Sequence, residues 1–354
     1  MINEKKALSA AERVAYSLRE LFERYGYAQY RMSKFEEYDL YVRNKSFLLS
    51  DHIITFTDTD GKLMALKPDV TLSIVKNSPE SEHGVRKVYY NENVYRVPKG
   101  AFSYKEIMQA GVECIGEIDQ YSILEVLTLA AKSLLEISED FVLDVSDLGI
   151  ISAVVDSMEL DGEGKERMIT AIGDKNIGEI NSICQEYGVS GDALCSLVTM
   201  SGREEDMLDI LKGSECYEQA KRFAEIVDVL RERFGERVRI DFSVVDDMRY
   251  YNGIVFKGFI KGIPTSILSG GRYDSLMERM GKRSGAIGFA VYLDLIDELC
   301  DESDEYDCDV FLRYDPATPI SVISKRVEEL MAEGKSVRCG ETVGDTGFRM
   351  IEDI

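Results

Sequence analysis

Two stretches decide the fold: RKVYYNENVYRV at 86–97 and, after a short Gly-containing loop, IMQAGVECI at 107–115. Both are rich in Val, Tyr and Ile, the residues that suit a pleated, half-buried surface, so they read as paired strands. Upstream, HIITFTD (52–58) and KLMALK (62–67) flank Asp60-Gly61, a turn dipeptide that marks a hairpin. Further upstream, Ser9-Ala-Ala-Glu12 is a capping-box pattern, Val14, Leu18, Leu21 and Phe22 follow at helical spacing, and Gly26 supplies a C-terminal cap. Downstream, the pattern predicts a helix over 120–137 and a strand in FVLDVSDLG (141–149). From about 150 to 235, segments such as MITAIGDKNIGEINSICQEYG and CYEQAKRFAEIVDVLRERFG read as a helical insertion. Strands resume in RVRIDFSVV (237–245), GIVFKGFI (253–260) and PTSILSGG (264–271), and GAIGFAVYLDLIDELC (285–300) reads as a helix. The acidic run Asp301 to Asp309 is expected to be a linker, and DVFLRYDP, ISVISKRVEELMAEG and KSVRCG a short β-α-β tail. Strand runs with hairpin-type connections, interrupted by helices, define an α+β protein on an antiparallel sheet. The expected division is a core over 1–300, carrying the insertion, and a tail over 301–354.

Composition narrows the function. The net charge of −23 over 354 residues opposes any polyanion, because nucleic-acid affinity comes from cations that neutralise phosphates. The seven cysteines are scattered, with no C-x-x-C pair, as expected of reduced cytoplasmic thiols. No apolar leader or long apolar window is present in the sequence, so a soluble protein without membrane contact is expected. DGEGKER (161–167) lacks Walker-A spacing, and His52 and His83 pair with no nucleophile or metal-ligand pattern. No cofactor or metal is expected.

Four stretches place polar residues and glycines inside strand contexts: LKPDVTL (66–72), VYYNENVYR (88–96) with QAGVE (109–113), MRYYNGIVF (248–256) and LSGGRYDSL (268–276). Together they supply Asp69, Glu113, Gln109, Arg96, a group of tyrosines and backbone-exposing glycines. A small zwitterion with a polar ring needs this mixture: acceptors for its ammonium, donors for its carboxylate, and tyrosine or carboxylate for its ring. Against that reading, Asp246 and Asp247 stand where a charged amino-acid substrate would want a cation.

The order of these stretches resembles histidyl-tRNA synthetase, a class II synthetase, over residues 1 to about 300. VRKVYYNENVYR followed by QAGVECIG is similar to motif 2, MRYYNGIVF to the histidine-specific loop R-G-L-D-Y-Y-T-G-x-V-F, LSGGRYDSL to the second histidine signature and GAIGFAVYLDLI to motif 3. The resemblance implies a histidine site in which Asp69, Thr71 and Gln109 hold the α-ammonium, Glu113 and Tyr251 contact the imidazole, and Tyr273 lines the pocket with Tyr250 and Arg96. It also places the family's catalytic arginine on Asp246 and the ATP-binding arginine of motif 3 on Leu295. The later motif 2 arginines become Ser103 and Lys105. Adenylation needs preorganised cations around a triphosphate, so its loss is implied. Residues 301–354 are short for an anticodon-binding domain, and tRNA is not an expected partner.

A synthetase-like core without these arginines resembles the regulatory subunits of ATP phosphoribosyltransferase, and KPDVT is nearer to their R-P-D-x-T than to the synthetase R-P-E-G-T. That resemblance implies a hetero-oligomer in histidine biosynthesis. This chain would activate a short-form catalytic subunit and transmit inhibition by L-histidine. It would be at least a homodimer through the N-terminal helix and the segment FERYGYAQYRMSKFEEYDLY (22–41), which together resemble motif 1. The alternatives are a synthetase paralogue, active or impaired, and a synthetase-like module that senses amino acids or docks a protein.

Overall fold

The structure is a computed structural model and describes residues 8–45, 48, 52–79, 84–97, 103–200, 202–245, 250–297, 306–344 and 347–354. Among the sequence expectations, His83, the Asp246–Arg249 segment and the first half of the acidic run lie outside the described residues. The chain divides into two compact units, Met1–Leu299 and Cys300–Ile354.

The first unit opens with the helix Ala10–Arg24. Ser9 Oγ accepts from the Glu12 amide at 3.2 Å and the Glu12 carboxylate accepts from the Ser9 amide at 2.8 Å, so two orphan donors of the first turn are satisfied reciprocally. Tyr25 is the C-cap, and Gly26 follows in the left-handed region (φ 81°) that ends a helix cheaply only in glycine.

Eight strands form the central sheet: β1 (Ala28–Gln29), β5 (Val85–Arg96), β6 (Lys105–Gly116), β7 (Phe141–Asp147), β8 (Val238–Ile240), β9 (Ile254–Ile260), β10 (Leu268–Arg272) and β11 (Gly285–Tyr292). Their spatial order is β1-β5-β6-β11-β10-β9-β7-β8; the pairs are antiparallel except β1–β5 and β7–β8. A small antiparallel sheet, β2 (Phe35–Glu37), β4 (Leu63–Leu66) and β3 (Thr55–Thr57), contains the expected hairpin.

The β5–β6 pair shows why the sheet has two different faces. Side chains alternate along a strand. Tyr89, Ala110, Val112 and Cys114 point into the main core, where the Ala10–Arg24 and Gln120–Ile137 helices bury Leu18, Phe22, Val126 and Ala130. Val88, Tyr90, Val94, Ile107 and Ile115 point the other way, into a smaller cluster with Tyr41, Leu72, Val75, Tyr273 and Met277. Gln109, Gly111 and Glu113 share that second face, and a cavity opens there. Six helices between Leu148 and Phe234 form the insertion: Leu148–Asp156, Gly162–Gly173, Ile177–Tyr187, Asp192–Thr199, Glu204–Ile210 and Tyr217–Phe234.

Three expectations are corrected. GAIGFAVYLDLIDELC is not one helix: Gly285–Tyr292 is β11, and only Asp294–Asp297 is helical. β11 is hydrogen-bonded on both sides, to β6 and β10, and is buried along most of its length. A central strand of this kind carries an apolar run whose period does not distinguish it from a buried helix. In RVRIDFSVV only Val238–Ile240 pairs as a strand, because Asp241 turns the chain, accepting from the amide and hydroxyl of Ser243 at 2.9 and 2.7 Å. In the acidic run, Cys308 and Asp309 already belong to a strand.

The second unit is a parallel sheet of β12 (Cys308–Arg313), β13 (Val337–Gly340) and β14 (Phe348–Asp353), in the order β13-β12-β14, with the helix Ile320–Ala332. It is the expected β-α-β unit extended by a further strand. Arg326 pairs with Glu352 at 2.6 Å, tying helix to strand. No helix among the described residues is long and apolar enough to cross a membrane.

Candidate functional site

A cavity of about 410 Å3 lies on the second face of β5, β6, β11, β10 and β9. The strand register builds it in rows. One row runs Glu113, Gly288, Gly271, Val255; the next runs Tyr90, Gly111, Ala290, Ser269, Lys257. Large residues stand at the ends of the rows and small ones in the middle, so the sheet itself forms a concave floor. The glycines are sterically required. A Cβ at Gly288 would stand 1.9 Å from Glu113 Oε2, and one at Gly271 would stand 2.6 Å from the Tyr251 ring.

The eight residues singled out in the sequence, Asp69, Thr71, Arg96, Gln109, Glu113, Tyr250, Tyr251 and Tyr273, all line this one cavity. They reach it from five elements. Asp69 precedes the Thr71–Lys76 helix, and its Oδ1 accepts from the Leu72 amide at 2.8 Å, which fixes the carboxylate at the wall. Burial raises the Asp69 pKa, while backbone amides and the Arg96 charge oppose the rise. Tyr250 and Tyr251 stack edge-on, with centroids 4.7 Å apart, and Tyr250 meets Tyr273 at 5.8 Å.

Glu113 is the electrostatic centre. It is 2% exposed and keeps one donor on each oxygen: the Thr71 hydroxyl donates to Oε1 at 2.7 Å and the Tyr273 hydroxyl to Oε2 at 2.5 Å. Burial pushes its pKa up to about 8; these two hydrogen bonds hold the rise back, and the nearby Asp69 charge adds to it. Such a carboxyl can change protonation to suit a ligand's ring nitrogen near neutral pH.

At the far end of the cavity, Arg96 is 7% exposed, with its guanidinium over the Tyr292 ring at 5.9 Å. The Tyr292 hydroxyl is in turn hydrogen-bonded to Ser269 Oγ at 2.8 Å. The approach to Asp69 is anchored from behind. Lys67 is fully buried and ion-paired with Glu92 on β5, the Lys67 amide donates to the Lys34 carbonyl at 3.1 Å, and the Tyr95 amide donates to the Lys67 carbonyl at 2.9 Å. Lys67, which stands where the resembled R-P-D-x-T pattern has arginine, therefore holds the loop and does not line the cavity.

Leu295 sits in the short Asp294–Asp297 helix, packed against the main core and away from the cavity lining. Ser103 and Lys105 are exposed and also outside it. Tyr90, Lys257, Ser269 and Tyr292 line the cavity and are not singled out by the sequence motifs. The signal for them is strand alternation: Lys257 is two residues after Val255, and Tyr292 two after Ala290, on strands whose inward face is set by the register. Among the described residues, no three His, Cys, Asp or Glu side chains are grouped to hold a metal ion.

Comparison with known proteins identifies the family. The histidyl-tRNA synthetase family model matches residues 4–296. The fold is thus that of a class II, histidyl-tRNA synthetase-like protein. An ATP phosphoribosyltransferase regulatory subunit of Clostridium kluyveri is 30% identical over 296 residues, 78% of this chain and 74% of that protein. The chain belongs to this family of ATP phosphoribosyltransferase regulatory subunits, built on the histidyl-tRNA synthetase fold. Among solved structures, an ATP phosphoribosyltransferase regulatory subunit/histidyl-tRNA synthetase from Bacillus halodurans superposes with a TM-score of 0.76 at 22% identity, covering 97% of this chain and 93% of that one. A chain of the ATP phosphoribosyl transferase (HisG:HisZ) complex from Thermotoga maritima gives 0.64 at 17% identity, covering 79% and 96%.

Proposed function

We propose that this chain is the non-catalytic regulatory subunit of an ATP phosphoribosyltransferase. It joins a short-form catalytic chain, activates it, and carries L-histidine inhibition to it. One observation carries the reading: the eight residues expected to form an amino-acid site line one cavity, while the positions expected to bear adenylation's arginines hold Asp246 and Leu295. An amino acid can be bound there, but the charge developed at a triphosphate has no preorganised cations in those places.

In this reading L-histidine is the effector. Its ammonium faces Asp69, Thr71 and Gln109, its imidazole is held between Glu113 and Tyr251, and Tyr273 fixes Glu113. Tyr250 closes the wall, and Arg96 faces the carboxylate. A glutamate and a tyrosine hydroxyl satisfy both ring nitrogens, which favours histidine over apolar amino acids of similar shape. Support for the partner comes from the family and from the Thermotoga maritima complex, whose name pairs two different chains. Self-association is assigned to the N-terminal helix and the segment 22–41, and no tRNA partner is assigned.

Co-expression with a tagged short-form ATP phosphoribosyltransferase catalytic chain tests the reading. Stoichiometric co-purification is expected. A chain that purifies alone from such a mixture favours the amino-acid-sensing module instead.

A further inference from the structure

Glu113 is a buried carboxyl whose partners are neutral. Its oxygens receive the Thr71 and Tyr273 hydroxyls, and Gly288 lies so close that even a methyl group there would strike Oε2. Among the described residues, the groups that act on it are those two hydroxyls and the like charge of Asp69; none is a cation. Arg96 stands on β5, the strand beside it, and acts on Asp69, while Lys257 is three strands away on β9. Tyr90 on β5, Tyr250 before β9 and Tyr273 after β10 face the cavity around it, and burial keeps their hydroxyls protonated. Tyr251 stands against Tyr250, and β11 presents Gly288 and Ala290, with Tyr292 at the far end. An ionised carboxylate in such surroundings is costly, so the site must hold a proton or be given a cation. A ligand ring that is itself a base meets either need.

We infer that Glu113 and the ligand's ring nitrogen hold one proton between them in the complex, and that this selects a basic ring, imidazole, over rings of equal shape that accept a proton poorly. Thr71 and Tyr273 take one lone pair on each oxygen, and a carboxylate has room for a further donor. The proton affinities match: Glu113 keeps its proton up to about pH 8, and an imidazole takes one below about 6.5. The proton thus sits on Glu113 before binding and is shared with the ring afterwards, in a charge-assisted hydrogen bond. A feebly basic ring leaves it on the carboxyl and accepts only a weak neutral bond. This inference rests on the reading of the cavity as an L-histidine site.

Between about pH 6.5 and 8 the free partners hold one such proton and so does the complex, so affinity is level. Above about 8 the free pair holds none and binding takes one up; below about 6.5 it holds two and binding releases one. Affinity for L-histidine is therefore expected to fall on both sides, by about tenfold per pH unit. Calorimetric titration of the full-length chain, with a short-form catalytic chain present, tests this at about pH 5.5, 7.2 and 8.8 in buffers of different ionisation enthalpy. Expected are release, no exchange and uptake of protons, in that order. Glu113→Gln, which keeps the shape and cannot ionise, should lose the uptake at high pH apart from that of the ligand's own ammonium. Wild type should bind 2-fluoro-L-histidine, a near-isostere with a far less basic ring, about tenfold or more weakly at neutral pH. Release or uptake of a whole proton at neutral pH, or equal affinity for the two ligands, overturns the shared proton and leaves the histidine site standing. If wild type binds no L-histidine at any of the three pH values, both fall.

Discussion

Glu113 and Tyr273 are 160 positions apart in the chain, yet the tyrosine hydroxyl donates to Glu113 Oε2 at 2.5 Å inside the cavity. The contact exists because β6 pairs with β11 and β11 with β10, which places Tyr273, just beyond the end of β10, over the Glu113 row. Thr71 holds the other oxygen, so the carboxyl cannot rotate. Its orientation is fixed before any ligand arrives, which lowers the ordering cost of binding.

Removing that carboxyl should show directly in affinity. Glu113→Ala leaves a ligand ring N–H buried without its partner, a loss of roughly 1–3 kcal/mol, or about one to two decades in Kd for L-histidine. Calorimetric titration with the catalytic chain present measures it. Equal titrations of wild type and variant would place the ligand elsewhere.

The same residue should make folding stability depend on pH. The folded pKa of Glu113 is raised to about 8 from an ordinary value of 4.5, so between these limits the folded state binds the extra proton. Its contribution is fully present below about pH 4.5 and is lost as pH rises through about 8. The loss between pH 5 and pH 9 is on the order of 3–4 kcal/mol. Urea unfolding of wild type and Glu113→Gln across this range should show a smaller decline in the variant by about that amount; parallel curves would contradict the assignment.

Gly288→Ala should destabilise the protein and disturb the cavity together. The added Cβ meets Glu113 Oε2 at 1.9 Å and the Val112 carbonyl oxygen, which is backbone and cannot swing aside, at 2.4 Å. Overpacking of this kind costs about 1–3 kcal/mol. A melting temperature unchanged from wild type would mean that β6 and β11 are spaced more loosely than the register requires.

Much of this site is legible in the sequence. Asp69, Gln109 and Glu113 stand out because polar side chains inside strand contexts need a reason to be buried, and Tyr250, Tyr251 and Tyr273 because they stand near glycines at the start of β9 and the end of β10. Their convergence is not legible from spacing alone, since it depends on the order β5-β6-β11-β10-β9, which local pattern does not specify. β11 reads as helical because an apolar strand with small residues on its cavity face lacks the apolar-polar alternation that identifies strands. Lys257 and Tyr292 escape notice for a related reason: either face of β9 or β11 could be the inner one until the register fixes it. Tyr89 and Tyr90 show how sharp that choice is, for adjacent tyrosines serve opposite faces, one in the main core and one in the cavity wall.

Histidyl-adenylate formation should be undetectable. Loss of a single preorganised donor for transition-state charge typically costs about two to three orders of magnitude in rate, and the motif resemblance sets Asp246 and Leu295 at two arginine positions. Pyrophosphate exchange with ATP and L-histidine is expected at background. Robust exchange would restore the synthetase alternative.

The most direct measurement is the rate of phosphoribosyl transfer to ATP by a short-form catalytic chain, taken with and without stoichiometric amounts of this protein and with L-histidine titrated into both. Addition of the protein is expected to raise the rate, and L-histidine to suppress the raised rate in wild type far more than with Glu113→Ala in its place. A catalytic rate unaffected by the protein, together with an unaltered response to L-histidine, would contradict a regulatory subunit.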